Sequence, residues 1–134
     1  RGWYGFDCSL YNAARLLELW SRRDATFSEE LNRLAPNLPT TGEVKVPCAE
    51  EDKLQTVEAI KNAFADHDAS TIDGVRVRFS ENGEQTGWYL ACKSNTEPIL
   101  VMRVEALNQN KLDEMLALID ERISPIINIG KLLA

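Results

Sequence analysis

The chain has few of the residues that build metal sites and disulfides. Its 134 residues include three cysteines, Cys8, Cys48 and Cys92, and one histidine, His67. No two cysteines form a CxxC pair, and an odd number favours a reducing compartment over a disulfide framework. A zinc site would need His67 and all three cysteines to converge, and a cysteine–histidine nucleophile pair would need the same histidine. We therefore expect packed or surface thiols, a solvated histidine and no metal in this chain.

Long apolar runs and clusters of one charge are also lacking. Nowhere does an apolar stretch approach the roughly 20 residues of a membrane span, and no basic segment followed by an apolar one marks a signal peptide. Lysine and arginine are scattered along a chain of formal net charge −6, whereas binding to a phosphate backbone relies on clustered cations. We expect neither a membrane nor a nucleic acid as partner. An acidic chain can still bind a small phosphorylated ligand where donors converge locally.

The remaining composition is that of an ordinary globular chain. Apolar residues make up 44% and charged residues 27% of the sequence, and this length supports one hydrophobic core plus an appendage. The first residue is Arg1 rather than methionine, so we expect a piece of a longer protein. The segment "NLPTTG" at 37–42 is the best candidate for a linker, because it combines prolines, a glycine and small polar residues.

The part before this linker is patterned as two helices. Asp7 is a predicted N-cap for the first helix, whose apolar stripe at helical spacing consists of Leu10, Ala14, Leu17 and Trp20. Thr26 and Glu29 stand in capping-box register for the second helix, which Pro36 closes. The segment also has aromatic side chains to bury, namely Trp3, Tyr4, Phe6 and Trp20. We predict that residues 1–38 are the end of a preceding domain and a linker.

The part from residue 39 onward alternates between strand and helix patterns. The order β-α-β-β-β-α predicts an α+β domain at 39–134 with a mostly antiparallel four-stranded sheet and two helices on one face; an extra short strand at 70–72 is the alternative. The buried side chains of the two helices are predicted to be Leu54, Val57, Ile60 and Phe64, then Leu112, Met115, Leu116, Ile119 and Ile123. The apolar tail at 126–134 either packs back on this domain or faces a partner.

One loop of this domain carries an unusual run of hydrogen-bond donors. The segment "CKSNTEP" at 92–98 joins two strands, although a hairpin needs only a short turn. Lys93 offers a charge, Ser94 and Thr96 offer hydroxyls, and Asn95 offers an amide. Asn95 also tolerates the left-handed backbone that builds a concave nest of N–H groups, which is a good environment for a phosphate. From the residues alone, a solvated turn and an anion site both stay open.

The sequence around this loop resembles the C-terminal domain of the α-D-phosphohexomutases, specifically the phosphomannomutase/phosphoglucomutase group. The resemblance is carried by "DGVRV" at 73–77, a tryptophan-containing hairpin, a loop similar to the family's R-x-S-N-T-x-P pattern and the strand "LVMRVEAL" at 100–107. The segment at 3–19 is similar to the last helix of the family's third domain, and "EVKVPCAEEDK" at 43–53 to the entry strand of the fourth. The motifs follow the family's order over nearly the whole chain.

The resemblance implies a four-domain cytoplasmic isomerase that interconverts hexose 1-phosphate and hexose 6-phosphate through a phosphoserine and a bisphosphorylated sugar. The substrate would be a mannose or glucose phosphate, and Mg²⁺ would be bound by the second domain. Residues 1–38 would end the third domain, and residues 39–134 would be the fourth, which grips the phosphate that is not being transferred. The catalytic serine and the metal ligands would lie outside this chain, which alone should be inactive.

Within the loop, the resemblance assigns substrate-phosphate binding to Ser94, Asn95 and Thr96, with Lys93 beside them. The family's arginine, two places before the serine, corresponds to Cys92. Arginine grips a phosphate through two parallel bonds and is always charged, whereas cysteine does neither at neutral pH. Lys93 replaces this cation only if the backbone has already turned there, since successive strand residues face opposite sides. Arg103 is the other candidate for a compensating cation.

Other residues have simpler interpretations. Trp88 is predicted to fill the core between the sheet and the helices. Arg103 is predicted to pair across strands with a carboxylate, and the acidic residues at 50–52 to favour the dipole of the following helix rather than bind a metal. The competing function is a non-catalytic α+β module that binds a protein partner through the aromatics of residues 3–20. Self-association without phosphate binding would favour that alternative.

Overall fold

A computed structural model describes residues 5, 8–34, 37–130 and 132–133. Contacts divide the chain into two units, Arg1–Asn37 and Leu38–Ala134. This division falls one residue before the predicted boundary, and the assignment of the first unit to a preceding domain stays a prediction. Over the described ranges, no helix combines the length and the apolar character needed to cross a membrane.

The first unit contains two helices, α1 at Ser9–Trp20 and α2 at Phe27–Leu34. The capping box is confirmed, because the Thr26 N–H donates to Glu29 Oε2 at 2.7 Å and the Glu29 N–H donates to Thr26 Oγ1 at 3.4 Å. The N-cap of α1 is Cys8, whose side chain makes no capping bond. Of the predicted apolar stripe of α1, Leu10, Ala14 and Leu17 are exposed and Trp20 is partly buried. Five residues singled out in the sequence of this unit lie outside the described residues, namely Trp3, Tyr4, Phe6, Asp7 and Pro36.

The second unit is an α+β domain, as predicted, but its sheet has five strands rather than four. Its elements are β1 (Val44–Pro47), α3 (Lys53–Ala63), β2 (Asp68–Ser70), β3 (Val75–Glu81), β4 (Glu84–Lys93), β5 (Ile99–Ala106) and α4 (Gln109–Ile123). The strands lie in the order β1-β5-β4-β3-β2, and every neighbouring pair is antiparallel. The extra strand, β2, pairs with β3 through Ala69 and Val77.

One face of the sheet is covered by α3 and α4, and the core lies between these layers. Alternation in β3 and β5 buries Val75, Val77, Phe79, Leu100, Met102 and Val104. Helix α4 contributes four of its five predicted residues as fully buried side chains, and the fifth, Leu116, is partly buried against the core. The tail packs back on this domain, because Ile129 and Leu132 are buried in the same cluster.

The buried face of α3 differs from the prediction at its first turn. Leu54 is 69% exposed, and Lys53 is only 1% exposed. Ile60 and Phe64 are buried as predicted, and Val57 is partly buried. The inward stripe therefore begins one residue earlier than hydrophobicity indicated, with a lysine at its head. An ammonium is buried only where partners offset its desolvation, so its partners are of interest.

Candidate functional site

The SNTEP loop, residues 94–98, connects β4 to β5 through a compact set of local hydrogen bonds. The Ser94 N–H donates to the Ile99 carbonyl at 3.1 Å, which closes the base of the loop. The N–H groups of Thr96 and Glu97 both donate to Ser94 Oγ, at 3.3 and 3.1 Å. Because the Ser94 oxygen accepts these two bonds, its hydroxyl hydrogen is left to donate elsewhere. The loop is therefore organised around Ser94.

Lys53 supports this loop from within the domain. Its ammonium donates to the carbonyl of Ser94 at 2.8 Å and to the carbonyl of Glu97 at 2.6 Å. It also pairs with the carboxylate of Glu50, three residues earlier and just before α3 begins. A buried lysine with three donors and three acceptors is fully satisfied. Sequence reasoning missed Lys53; the only signal was a Glu-x-x-Lys pair at the start of a helix, which an exposed pair would share.

The remaining loop side chains are directed to solvent. Lys93, Asn95 and Thr96 are exposed, and Ser94 is half-buried. The expected left-handed conformation is not found at Asn95, since Asn82 alone among the described non-glycine residues has a positive φ. The N–H groups of Thr96 and Glu97 are already bonded to Ser94, so the predicted concave nest is replaced by a turn built on the serine hydroxyl.

The Glu97 carboxylate, which has the wrong sign for an anion site, is held by Lys45 of the edge strand β1. Lys45 Nζ lies 2.6 Å from Glu97 Oε2. This hydrogen bond and the attraction of the carboxylate raise the pKa of Lys45 above its usual value. The pair offsets the negative charge of Glu97 beside the loop.

Cys92 and Lys93 lie on opposite faces of the sheet. Strand β4 continues through Lys93, which pairs with Leu100, while Cys92 pairs with Val101. Because side chains alternate along a strand, Lys93 does not occupy the space that an arginine at position 92 would fill. Burial, followed by the carboxylates of Asp73 and Glu43, raises the pKa of the Cys92 thiol. A neutral thiol therefore stands at the position where the resemblance implies an arginine.

Trp88 is not a core residue, contrary to the prediction. It lies on the open face of the sheet, with the guanidinium of Arg76 4.6 Å and that of Arg103 5.7 Å from its ring centroid. Its indole N–H donates to Glu105 Oε1 at 3.2 Å. Tyr89 takes the core position instead and is fully buried.

Arg103 pairs with a carboxylate of the same strand, β5, so the predicted cross-strand pair is wrong. Arg103 Nη2 lies 3.2 Å from Glu105 Oε2, two residues along β5. Its Nε is buried and has no hydrogen-bond partner among the described residues. Arg76 of β3 and Arg103 of β5 both pair with Leu90 of β4, which lies two residues before Cys92 on the same face of the sheet. Lys45 shares the row of Cys92 on that face through Val101, one strand further away, and is paired with Glu97.

The histidine and the cysteines do not assemble into a reactive cluster. His67 is half-buried rather than solvated, with ring contacts to Phe64 and Phe79 and a 2.9 Å contact from Nδ1 to Asp66. No group of three histidine, cysteine or acidic side chains suited to a metal ion occurs within the part of the chain that the structure describes. The site that the geometry singles out is therefore the SNTEP loop with its support from Lys53.

The fold and this strand-connecting loop define a two-layer α+β domain with a polar loop at one end of its sheet, and known proteins resemble it in sequence and fold. A sequence model of the phosphoglucomutase/phosphomannomutase C-terminal domain matches residues 43–122. A phosphomannomutase/phosphoglucomutase of Pseudomonas syringae pv. tomato is 38% identical over 115 residues, covering 84% of this chain and 23% of that protein. A phosphoglucomutase of Neisseria meningitidis is 38% identical over 117 residues, covering 84% of this chain and 24% of that protein.

A solved structure agrees with these sequence matches. The crystal structure of a phosphoglucomutase/phosphomannomutase family protein from Burkholderia thailandensis superposes with a TM-score of 0.63 at 32% identity, covering 94% of this chain and 26% of the other. The chain belongs to the phosphoglucomutase/phosphomannomutase C-terminal domain family. It spans about a quarter of the length of the relatives that it matches.

Proposed function

We propose that this chain is the substrate-phosphate-binding domain of a cytoplasmic phosphohexomutase. The parent enzyme interconverts hexose 1-phosphate and hexose 6-phosphate of mannose or glucose, through a phosphoserine and a bisphosphorylated sugar. Lys93, Ser94, Asn95 and Thr96 bind the phosphate that is not being transferred. The observation that carries the proposal is a loop of exposed donors, organised by hydrogen bonds to Ser94 Oγ, in a domain of this family. The resemblance of this loop to the family's phosphate-binding pattern supports the assignment.

The chemistry assigned to this chain is binding and orientation. A phosphate accepts several short hydrogen bonds at once, and hydrogen bonds to an ionised acceptor are about twice as strong as bonds between neutral groups. Holding the remote phosphate fixes the sugar relative to the reacting end, so that binding energy is converted into correct positioning. The phosphoserine and Mg²⁺ belong to preceding domains of the parent enzyme. The described residues here offer no cluster suited to a metal ion, so no step assigned to this chain involves one.

The cysteine at position 92 predicts that this domain binds phosphate with reduced affinity. Lys93 is on the opposite face, Arg76 and Arg103 are stacked on Trp88, and Cys92 is held in its neutral form by a raised pKa. Loss of a charge-assisted bond to a phosphate costs about 1.5–3 kcal/mol. We therefore expect the phosphate affinity of this domain to be roughly tenfold to a hundredfold below that of a variant with arginine at this position.

The proposal is tested by titrating the isotope-labelled chain with glucose 1-phosphate and mannose 1-phosphate while following backbone amide shifts. Saturable shifts centred on residues 93–97 are expected, with weak affinity. Glucose without phosphate should leave these amides unmoved. Cys92→Arg should tighten binding, and Cys8→Arg, which adds the same charge to the first unit, should not. Absence of loop shifts in both the original chain and Cys92→Arg would refute the proposal.

A second candidate is the non-catalytic protein-interaction module. It is supported by apolar side chains of α1 that are exposed, among them Leu10 at 84% and Leu17 at 69%. Sedimentation at increasing chain concentration distinguishes the candidates. Self-association that is lost when Leu10 and Leu17 are replaced, together with loop amide shifts that do not change on addition of either sugar phosphate, would favour the interaction module.

A further inference from the structure

We propose that Lys53 is the residue that positions the SNTEP loop for phosphate binding, without touching the phosphate itself. This inference rests on the proposed function. Lys53 lies in the first turn of α3, more than 40 residues before the loop in sequence. Nothing in a hydrophobicity pattern marks it, because it takes the inward position that Leu54 was expected to fill.

The burial of Lys53 and its bonds establish a structural role in the loop. The residue is 1% exposed, while its partner Glu50 is 75% exposed in its side chain. All three ammonium hydrogens have acceptors: the Glu50 carboxylate and the carbonyls of Ser94 and Glu97. With its donors used, Lys53 has none left for a ligand. Its effect on a phosphate must therefore act through the loop.

The two carbonyls that Lys53 binds are at the two ends of the SNTEP turn. Glu97 O also accepts from the Ile99 N–H at 2.8 Å, around Pro98. Ser94 O has no other hydrogen-bond donor among the described residues. The ammonium therefore joins the start and the end of the loop at one point, and its loss would leave the Ser94 carbonyl without a protein donor.

The orientation of the Ser94 carbonyl decides the direction of the next N–H. In a trans peptide the C=O and the N–H of one plane point in opposite directions, and no peptide bond in the described residues is cis. Because Lys53 draws the Ser94 carbonyl toward the interior, the Asn95 N–H points away from Lys53. That N–H has no hydrogen-bond partner among the described residues. Lys53 thus directs one unpaired backbone donor of the loop away from the interior of the domain.

Lys61 offers a matched comparison on the same helix. Like Lys53 it pairs with a glutamate three residues earlier, Glu58, at 2.8 Å. Its side chain is 43% exposed, and the glutamate is its one hydrogen-bond partner within the described part of the chain. Replacing Lys61 removes the same charge and an ion pair of the same three-residue spacing, and Lys61 has no contact with the loop. Any difference between the two substitutions therefore reports the bonds to the loop carbonyls.

The test compares Lys53→Met, Lys53→Arg and Lys61→Met in the isotope-labelled chain, first without ligand and then with glucose 1-phosphate. Methionine keeps the length of the side chain and removes all donors, whereas arginine keeps donors. In Lys53→Met we expect shifted resonances and faster hydrogen exchange at the Asn95, Thr96 and Glu97 amides, with the amides of β3 unchanged as evidence of folding. Affinity for glucose 1-phosphate should fall roughly tenfold. Lys53→Arg should restore part of both effects, and Lys61→Met should resemble the original chain.

The outcomes separate this inference from the proposed function. If Lys53→Met leaves the loop amides and the affinity as they are in Lys61→Met, Lys53 does not position the loop and the inference is overturned, although phosphate binding stands. If the original chain and Cys92→Arg both fail to bind, the proposed function is refuted, and a loop that still responds to Lys53→Met would make Lys53 a stabilising residue only. Should Lys53→Met lose the β3 amide pattern as well, the Lys53→Arg variant decides. A folded domain in which the loop amides shift and the affinity falls together supports the inference, and a folded domain in which one changes without the other overturns it.

Discussion

Substitution of Gly74 by alanine tests how closely the turn before β3 is packed against the end of β4. Gly74 has a φ of +78°, and a Cβ built on it would lie 2.4 Å from the Ala91 carbonyl oxygen and 2.7 Å from Cys92 Cα. Gly83, in the turn between β3 and β4, has a φ of +84° and nothing within 4 Å of the same built atom. An alanine would be strained by the positive φ at either position, but only at Gly74 would its Cβ also collide with neighbouring atoms.

The expected magnitudes follow from this difference. An alanine held at positive φ costs about 1–2 kcal/mol, and this applies to both substitutions. At Gly74 the obstructing atoms are backbone, which cannot rotate away, so overpacking adds about 1–3 kcal/mol. We expect Gly83→Ala to lower the free energy of unfolding by about 1 kcal/mol and Gly74→Ala by about 3 kcal/mol. For a domain of about 100 residues, these values correspond to a fall in Tm of roughly 4–8 °C and 12–24 °C.

The assay is urea unfolding of both variants and the original chain, followed by far-ultraviolet circular dichroism. Equal m-values would show that the change lies in the folded state rather than in the compactness of the unfolded chain. Amide spectra of the folded variants should place the largest shifts of Gly74→Ala at residues 91–94, next to the loop. If Gly74→Ala and Gly83→Ala destabilise the chain equally, the close approach of Gly74 to β4 is wrong.

Two further predictions concern titration. The Arg122 guanidinium, and then the His67 ring, hold the pKa of Asp66 well below its usual range. A carboxyl whose pKa is lowered by folding stabilises the folded state at pH values above its unfolded pKa of about 4, and this stabilisation is lost as the pH falls below that value. Arg122→Gln should therefore reduce the acid-induced fall of the urea midpoint below about pH 4, with Arg78→Gln as control, and parallel curves would contradict this. Burial and then Asp73 raise the pKa of Cys92, so Asp73→Asn should speed alkylation of that thiol near pH 8 by increasing its thiolate fraction. An unchanged rate by peptide mapping would exclude the contribution of Asp73.

Local and periodic features of this chain could be predicted from its sequence. The alternation at Val75, Val77 and Phe79 specified a half-buried strand because the side-chain period of a strand is two. Thr26 and Glu29 specified a helix start because capping needs only neighbours in sequence. The run of donors at 93–96 marked the candidate loop for the same reason, since its residue types are visible without any fold. These features depend on contacts within one element.

The face occupied by Trp88 was decided by a β-bulge. The Asn82–Gly83 turn pairs Glu81 with Glu84, and a regular ladder from there would place Trp88 opposite Val77, in the core. The register shifts between Phe79 and Ser80, so Val77 pairs with Tyr89 and Arg78 pairs with Trp88. A one-residue slip moves every later side chain to the other face. Composition could not reveal this, because both faces of β4 carry apolar residues.

The support of the loop by Lys53 was likewise decided by tertiary structure. Hydrophobicity favours Leu54 over Lys53 as the inward residue, and an isolated ammonium would be costly to bury. The fold brings the carbonyls of Ser94 and Glu97 to within 2.8 and 2.6 Å of Lys53 Nζ, and these bonds offset the desolvation. The sequence by itself therefore determined which loop carries the donors, since that depends on residue type. Only the tertiary structure determined what holds them in place, because backbone carbonyls have no signature in the sequence.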